Sequence, residues 1–163
     1  MDFFIDFETL GLLPICKIVQ IGLIGFDKEK SIIEKCWNID IENGLNTDRT
    51  VDESTLLFWI KNSSKITWSE NTILLEKAIN EIDSLFKTYV TEDSNLWSNG
   101  ILFDISILGT LMKIPFKYSH ILDYRTYRKM LNLKKDSTYD HNALNDCRSC
   151  VKNLIKASDS DQT

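Results

Sequence analysis

Asp6, Glu8, Asp104, His141 and Asp146 are the residues whose types and order could do chemistry in this chain. Asp6-Phe7-Glu8 closes an apolar N-terminal run. Asp104 ends the stretch Asn99-Gly100-Ile101-Leu102-Phe103-Asp104, and the last two belong to His141-Asn142-Ala143-Leu144-Asn145-Asp146. Four carboxylates and an imidazole are the set that two-metal hydrolysis of a phosphodiester requires. An Asp-x-Glu pair carries little weight alone, because it arises by chance in most proteins of this size. The joint pattern carries far more: Asp-x-Glu-Thr at a strand end, Asn-Gly-x-x-Phe-Asp ahead of a helix, and His-x-Ala-Leu-x-Asp near the last helix.

Each of these residues also has a structural role open to it. Asp104 lies between Phe103 and Ile105, with Ile107, Leu108 and Leu111 close behind. A carboxylate in such company is costly to bury unless a cation meets it. The next base, Lys113, is too far along a helix to pair with it easily. Helix capping is one role for Asp104, and a divalent cation is the better partner. Asp146 falls where an acid favours the dipole of an opening helix, and His141 could be an ordinary cap or surface residue. Their five-residue spacing across a helix start can set an imidazole beside a metal-binding carboxylate.

The elements that must position these residues follow from periodicity. Residues 2–7 read as a strand, and side chains two apart share a face, so Asp6 and Glu8 point the same way if the strand persists. Runs 17–27 and 31–40 are two further strands, separated by Asp27-Lys28-Glu29-Lys30, giving an antiparallel meander. A polar loop with an Asn43-Gly44 turn signal precedes a helix over 53–61, with Leu56, Leu57 and Ile60 as its apolar positions. The clearest helix is 72–90. Leu75, Ala78, Ile79, Ile82, Leu85, Phe86 and Tyr89 recur there at helical spacing, as a core-facing stripe. Residues 96–98 predict a buried strand, 103–112 a helix, 118–124 a last strand with a helix to 131, and 140–157 a final helix. The order implies an α/β fold: a mixed five-stranded sheet, three antiparallel strands then two parallel, flanked by helices. One domain is expected over 1–157, with 158–163 a disordered tail.

Composition agrees with a single folded domain, with 43% hydrophobic residues in a chain of 163. No stretch approaches the roughly 20 apolar residues that span a bilayer. Met1-Asp2 begins no basic leader, so a cytoplasmic protein without a membrane partner is expected. Cys147 and Cys150 form a C-x-x-C, but inside a predicted helix, while Cys16 and Cys36 make no second close pair. Free thiols are therefore expected rather than zinc. The net charge of −5 is not that of a typical nucleic-acid binder. Its distribution is uneven. Lys113, Lys117, Arg125, Arg128, Lys129, Lys134 and Lys135 stand against Asp123 alone, with Tyr118, Tyr124 and Tyr127 interleaved. This stretch reads either as phosphate contacts with base stacking or as a solvated helix face.

These blocks carry a resemblance. The chain resembles the DEDD superfamily of 3′–5′ exonucleases, histidine subtype (DEDDh), on an RNase H-like fold. The match runs from Phe3-Phe4-Ile5-Asp6-Phe7-Glu8-Thr9-Leu10-Gly11 to Asp146. Within the superfamily it is most similar to the group containing phage exonuclease A (DexA-like) and mycobacterial RNase AS. The carriers of that finer likeness are Ser54-Thr55-Leu56-Leu57-Phe58-Trp59 and Asp123-Tyr124-Arg125-Thr126.

The resemblance implies two divalent ions, Mg²⁺ or Mn²⁺, with Asp6, Glu8 and Asp146 on one, Asp6 bridging to the second, and Asp104 holding the second. It implies His141 as general base toward the attacking water, suited by an imidazole pKa of about 6.5. The substrate would be the 3′ end of single-stranded DNA or RNA and the product a nucleoside 5′-monophosphate. Thr9 and Leu10 would line the pocket for the terminal nucleotide. Phe103 would stack there or belong to the core; Trp59 would be a stacking platform or helix packing. Arg125 would contact phosphate or the carboxylate cluster. The chain is short for a substrate-gripping insertion, and a homodimer would complete the groove, as in some relatives. If phage-encoded, it would act in the host cytoplasm. Two other readings stay open: a hydrolase of short oligonucleotides or small cyclic nucleotides, and a nucleic-acid-binding module that has lost catalysis.

Overall fold

Strand alternation divides β1 (Asp2–Thr9) between two cores. In the computed structural model, which describes residues 1–133 and 140–160, Phe3, Ile5 and Phe7 enter one core and Phe4 the other. Lys134 and Lys135 of the basic stretch, and residues 161–163 of the expected tail, lie outside the described residues. β1 pairs antiparallel with β2 (Ile18–Phe26), which pairs antiparallel with β3 (Ser31–Asn38). On its other side β1 runs parallel to β4 (Leu96–Ser98), and β4 to β5 (Ile121–Asp123). The order β3-β2-β1-β4-β5 is the mixed five-stranded sheet that the sequence implies.

Among the described residues five α-helices, α1 (Glu53–Lys61), α2 (Leu75–Tyr89), α3 (Asp104–Gly109), α4 (Tyr124–Met130) and α5 (Ala143–Ser160), accompany the sheet. Leu75, Ala78, Ile79, Ile82 and Phe86 of α2 cover the Phe3 face together with Ile107 and Leu108 of α3. Phe86 meets Phe3 edge-on, ring centroids 5.1 Å apart. Cys147, Cys150, Val151 and Leu154 of α5 cover the Phe4 face with Tyr124. β2 is buried along its whole length because both of its faces are covered, which explains its nearly unbroken apolar sequence.

Several elements depart from expectation, each for a packing reason. In α1 the apolar positions Leu56, Leu57 and Ile60 face solvent, and Trp59 is the buried residue. Trp59 packs with Leu10 and Val19, joined by Ile41, Ile66 and Trp68, so α1 is held through one large side chain rather than a stripe. Residues 118–120 form a 3₁₀ turn, and the last strand starts only at Ile121. Tyr124 is buried edge-on to Phe4, and Tyr127 packs edge-on against Trp97. Tyr124 is thus withdrawn into the core, Tyr127 is half-buried, and Tyr118 alone of the three is exposed. The final helix starts at Ala143 and runs through Ser160. None of the four cysteines is in a disulfide. Among the described residues no helix is long and apolar enough to cross a membrane.

The contrast between α2 and α1 has a measurable consequence. Ile82→Ala, at a fully buried position, is expected to cost about 2–5 kcal/mol in urea denaturation. Ile60→Ala, at a position 69% exposed, should stay within about 0.5 kcal/mol of the parent.

Candidate active site

β4 is only three residues long, and its pairing with β1 ends at Phe4 opposite Trp97. Beyond that point β1 keeps its partner on the β2 side, where Asp6 faces Gly22 and Glu8 faces Gln20. The other side is open. A cleft forms there, beside the carboxyl ends of the parallel strands and where pairing changes from antiparallel to parallel, a common place for ligands in α/β sheets. The Phe7 N–H, which a longer β4 would have engaged, donates instead to Asp104 Oδ1 at 3.2 Å. Asp104 opens α3 and is buried.

The opposite wall is the start of α5, and two residues of β2 place it. A Cβ at Gly22 would overlap the Ala143 carbonyl group, so glycine permits the helix to lie directly on the strand. Buried Gln20 accepts the Ala143 N–H through Oε1 at 2.8 Å and donates from Nε2 to Asn38 Oδ1 at 2.8 Å. Asp146, in the first turn of α5, is thereby set over the Asp6–Glu8 face of β1. His141 precedes the helix with a left-handed backbone, φ 60°. Its ring stands edge-on to Phe58 (4.9 Å) and Trp59 (6.1 Å), with Nδ1 3.9 Å from Glu8 Oε1. Its side chain is 32% exposed, so the imidazole touches both the cluster and solvent.

The five expected residues line one cavity of about 440 Å³, joined by Asn99, Gly100, Phe103 and Arg125. Their charges are mutually unfavourable. Burial, then Asp104 and Asp146, hold the Asp6 carboxyl well above its ordinary range. Burial, reinforced by Asp6, Asp146 and Asp140, pushes Glu8 up to about 9. Burial raises Asp104 to about 8, although the Phe7 amide and the Arg125 guanidinium favour its charged form. Asp146 rises to about 7 through burial and the charge of Asp140, with the Asp140 backbone N–H and Lys65 opposing. Asp146 Oδ1 is also buried, with no hydrogen-bond partner among the described residues. A cation fits this donor set. Among the described residues, Glu8, His141 and Asp146 each offer one ligand atom, and these atoms lie within 4.8 Å of one another. The carboxylates are hard oxygen donors of the kind that hold divalent cations.

A second cavity of about 340 Å³ adjoins the first, sharing Phe7, Glu8 and Phe103 and adding Thr9, Leu12, Ser54, Thr55, Phe58 and Trp59. Trp59 both packs and lines: it is buried, and its Nε1–H donates to the Thr9 carbonyl at 2.9 Å. The Thr9 hydroxyl donates to the Gly11 carbonyl at 2.7 Å. Leu10 lines neither cavity and is buried against Val19 and Trp59. Arg125 is exposed at the cavity wall, close enough to lower the Asp104 pKa. Sequence reading passes over Gln20, Gly22, Phe58 and Asp140. A lone glutamine in an otherwise apolar strand is the signal that could have found Gln20.

The E. coli exonuclease I–ssDNA complex in its metal-free form superposes with TM-score 0.59 at 15% identity, over 95% of this chain and 38% of that one. Another exonuclease I structure gives TM-score 0.62 at 16% identity, over 95% and 40%. Cell-death related nuclease 4 (CRN-4) gives TM-score 0.59 at 13% identity, over 94% and 62%. At these identities the likeness establishes the RNase H-like exonuclease fold. The chain spans about two fifths of the length of the exonuclease I structures. No curated protein sequence matches it. The model of the Rv2179c-like 3′–5′ exoribonuclease domain matches residues 1–157, and the chain belongs to that family.

The carboxylate crowding sets the pH dependence of stability. Groups whose folded pKa values are raised bind more protons folded than unfolded, so they stabilise fully below pH about 4 and progressively less as pH rises through the folded values. With EDTA present, the melting temperature should fall between pH 5 and 9, the interval containing the values near 7, 8 and 9 for Asp146, Asp104 and Glu8. Mn²⁺ at pH 8 should restore it by mass action. A melting temperature rising over that interval in EDTA would contradict this description.

Proposed function

We propose that this chain is a divalent-cation-dependent 3′–5′ exonuclease acting on single-stranded nucleic acid, RNA in preference to DNA, and releasing nucleoside 5′-monophosphates. The observation that carries this reading is the convergence of Asp6, Glu8, Asp104, Asp146 and His141 on one cavity, with an unpartnered carboxylate oxygen inside it. The family's description as exoribonuclease supports RNA. It also fits the likeness of the Trp59 and Arg125 motifs to the RNase AS group.

Asp6, Glu8 and Asp146 would hold one divalent ion, and Asp104 would help to hold a second. The chemistry that such ions supply is neutralisation of the clustered charge, activation of water and stabilisation of the leaving 3′ oxygen. His141 takes the proton of the attacking water. Its partial exposure lets that proton pass on to solvent, and Glu8 stabilises the imidazolium that forms. Phe58 and Trp59 hold the ring by its edges. Arg125, on the opposite wall, offers a cation to the scissile or adjacent phosphate. Thr9, Phe103 and Trp59 wall the neighbouring cavity, which is of a size to receive the terminal nucleoside. Leu10 serves this reading indirectly, by backing Trp59.

The test uses matched 5′-labelled RNA and DNA strands with Mg²⁺, Mn²⁺ or EDTA. A ladder shortening from the 3′ end is expected, faster on RNA and abolished by EDTA. Asp6→Ala should be inactive, and His141→Ala slower by about 10²-fold or more. Folded protein that shortens neither strand with any cation would overturn the reading. Cleavage confined to a dinucleotide would move it to short substrates.

A further inference from the structure

Asp140 lines neither cavity, yet its side chain closes a clamp around the backbone of His141. Asp140 Oδ1 accepts the Asn142 N–H at 3.0 Å, an Asx turn with His141 at its centre. Asp140 Oδ2 accepts from Asn145 Nδ2 at 2.9 Å, tying the turn to the first turn of α5. Asn142 Oδ1 in turn accepts the Asn145 N–H at 3.1 Å, as a helix cap does, and Asn142 Nδ2 donates to Thr67 Oγ1 at 3.0 Å. Between these fixed points His141 is left-handed, φ 60°, a conformation that residues with a side chain seldom hold without support. An unclamped residue at this position would relax to negative φ and swing its ring out of the gap between Glu8 and the edges of Phe58 and Trp59.

We infer that Asp140 is a positioning residue for the His141 imidazole, acting through the turn it closes rather than by touching substrate; the catalytic part of this inference rests on the exonuclease reading above. Asp140 is exposed, so its substitution removes no core contact. Two properties of Asp140 must be separated, because its charge also bears on Glu8 and Asp146. Asparagine keeps an acceptor for the Asn142 amide, gives up the Oδ2 acceptor that Asn145 uses, and removes the charge. Alanine removes both acceptors and the charge.

The experiment compares Asp140→Ala and Asp140→Asn with the parent by two readouts. One is the His141 ring-proton NMR resonance, recorded without cations at a pH where the imidazole is neutral. The chain has two histidines, so a His120→Gln control assigns the signal. The other is steady-state turnover of RNA with Mg²⁺. In the parent, the nearby Phe58 and Trp59 rings displace the resonance from its free-imidazole position. Asp140→Ala should move it back toward that position and lower kcat about tenfold or more, with KM changed by less than about twofold. Asp140→Asn should keep the displaced resonance and stay within about threefold of the parent kcat. An alanine variant with unchanged resonance overturns the inference, as does an asparagine variant that falls as far as alanine in both readouts. If the parent itself shortens no RNA, the exonuclease reading fails, while the resonance still decides whether Asp140 positions His141.

Discussion

Carboxylates brought together out of water repel one another, and the architecture around this site forces that closeness. Asp6 and Glu8 share a face of β1, Asp104 is drawn in by the Phe7 amide, and Asp146 is lowered onto them by the helix that Gly22 and Gln20 admit. A cation or bound protons would relieve such an arrangement: among the described residues, Arg125 acts on Asp104 and Lys65 on Asp146, and neither offsets the burial. Much of the local sequence serves this one constraint. A shorter β4, a glycine in β2 and a left-handed residue before α5 would each be an imperfection elsewhere. Here each opens or aims the site.

The two cores explain how so costly an arrangement stays folded. The Phe3 face, covered by α2 and α3, and the Phe4 face, covered by the body of α5, are apolar and continuous. The acids occupy the end of the second face, past the last β4 pairing. The binding end of the sheet is thus free to be unfavourable in isolation and favourable with a cation.

The strands, most of the α2 stripe and the gathering of Asp6, Glu8, Asp104, His141 and Asp146 at one end of the sheet were legible in the sequence, because each rests on local periodicity or on residue types that have few other uses. The meander of β1 to β3 follows from runs of β-formers, and the Asp-x-Glu alternation places two acids on one face. What could not be read was set by contacts between distant elements. Leu56, Leu57 and Ile60 look like a buried stripe, but α1 is fixed by Trp59 alone. Tyr124 and Tyr127 look like stacking residues among lysines and arginines, yet their spacing on α4 turns them toward Phe4 and Trp97. Gln20, Gly22 and Asp140 gain meaning only once α5 lies on β2.

The central claim is that the clustered acids hold protons until a cation replaces them. Calorimetric titration of the protein with Mn²⁺ at pH 7, repeated in buffers of different ionisation enthalpy, counts the protons released on binding. With folded pKa values near 9, 8 and 7 for Glu8, Asp104 and Asp146, binding should release about one proton or more per chain. Mn²⁺ binding with no proton release, or no binding at all by the folded protein, would contradict it.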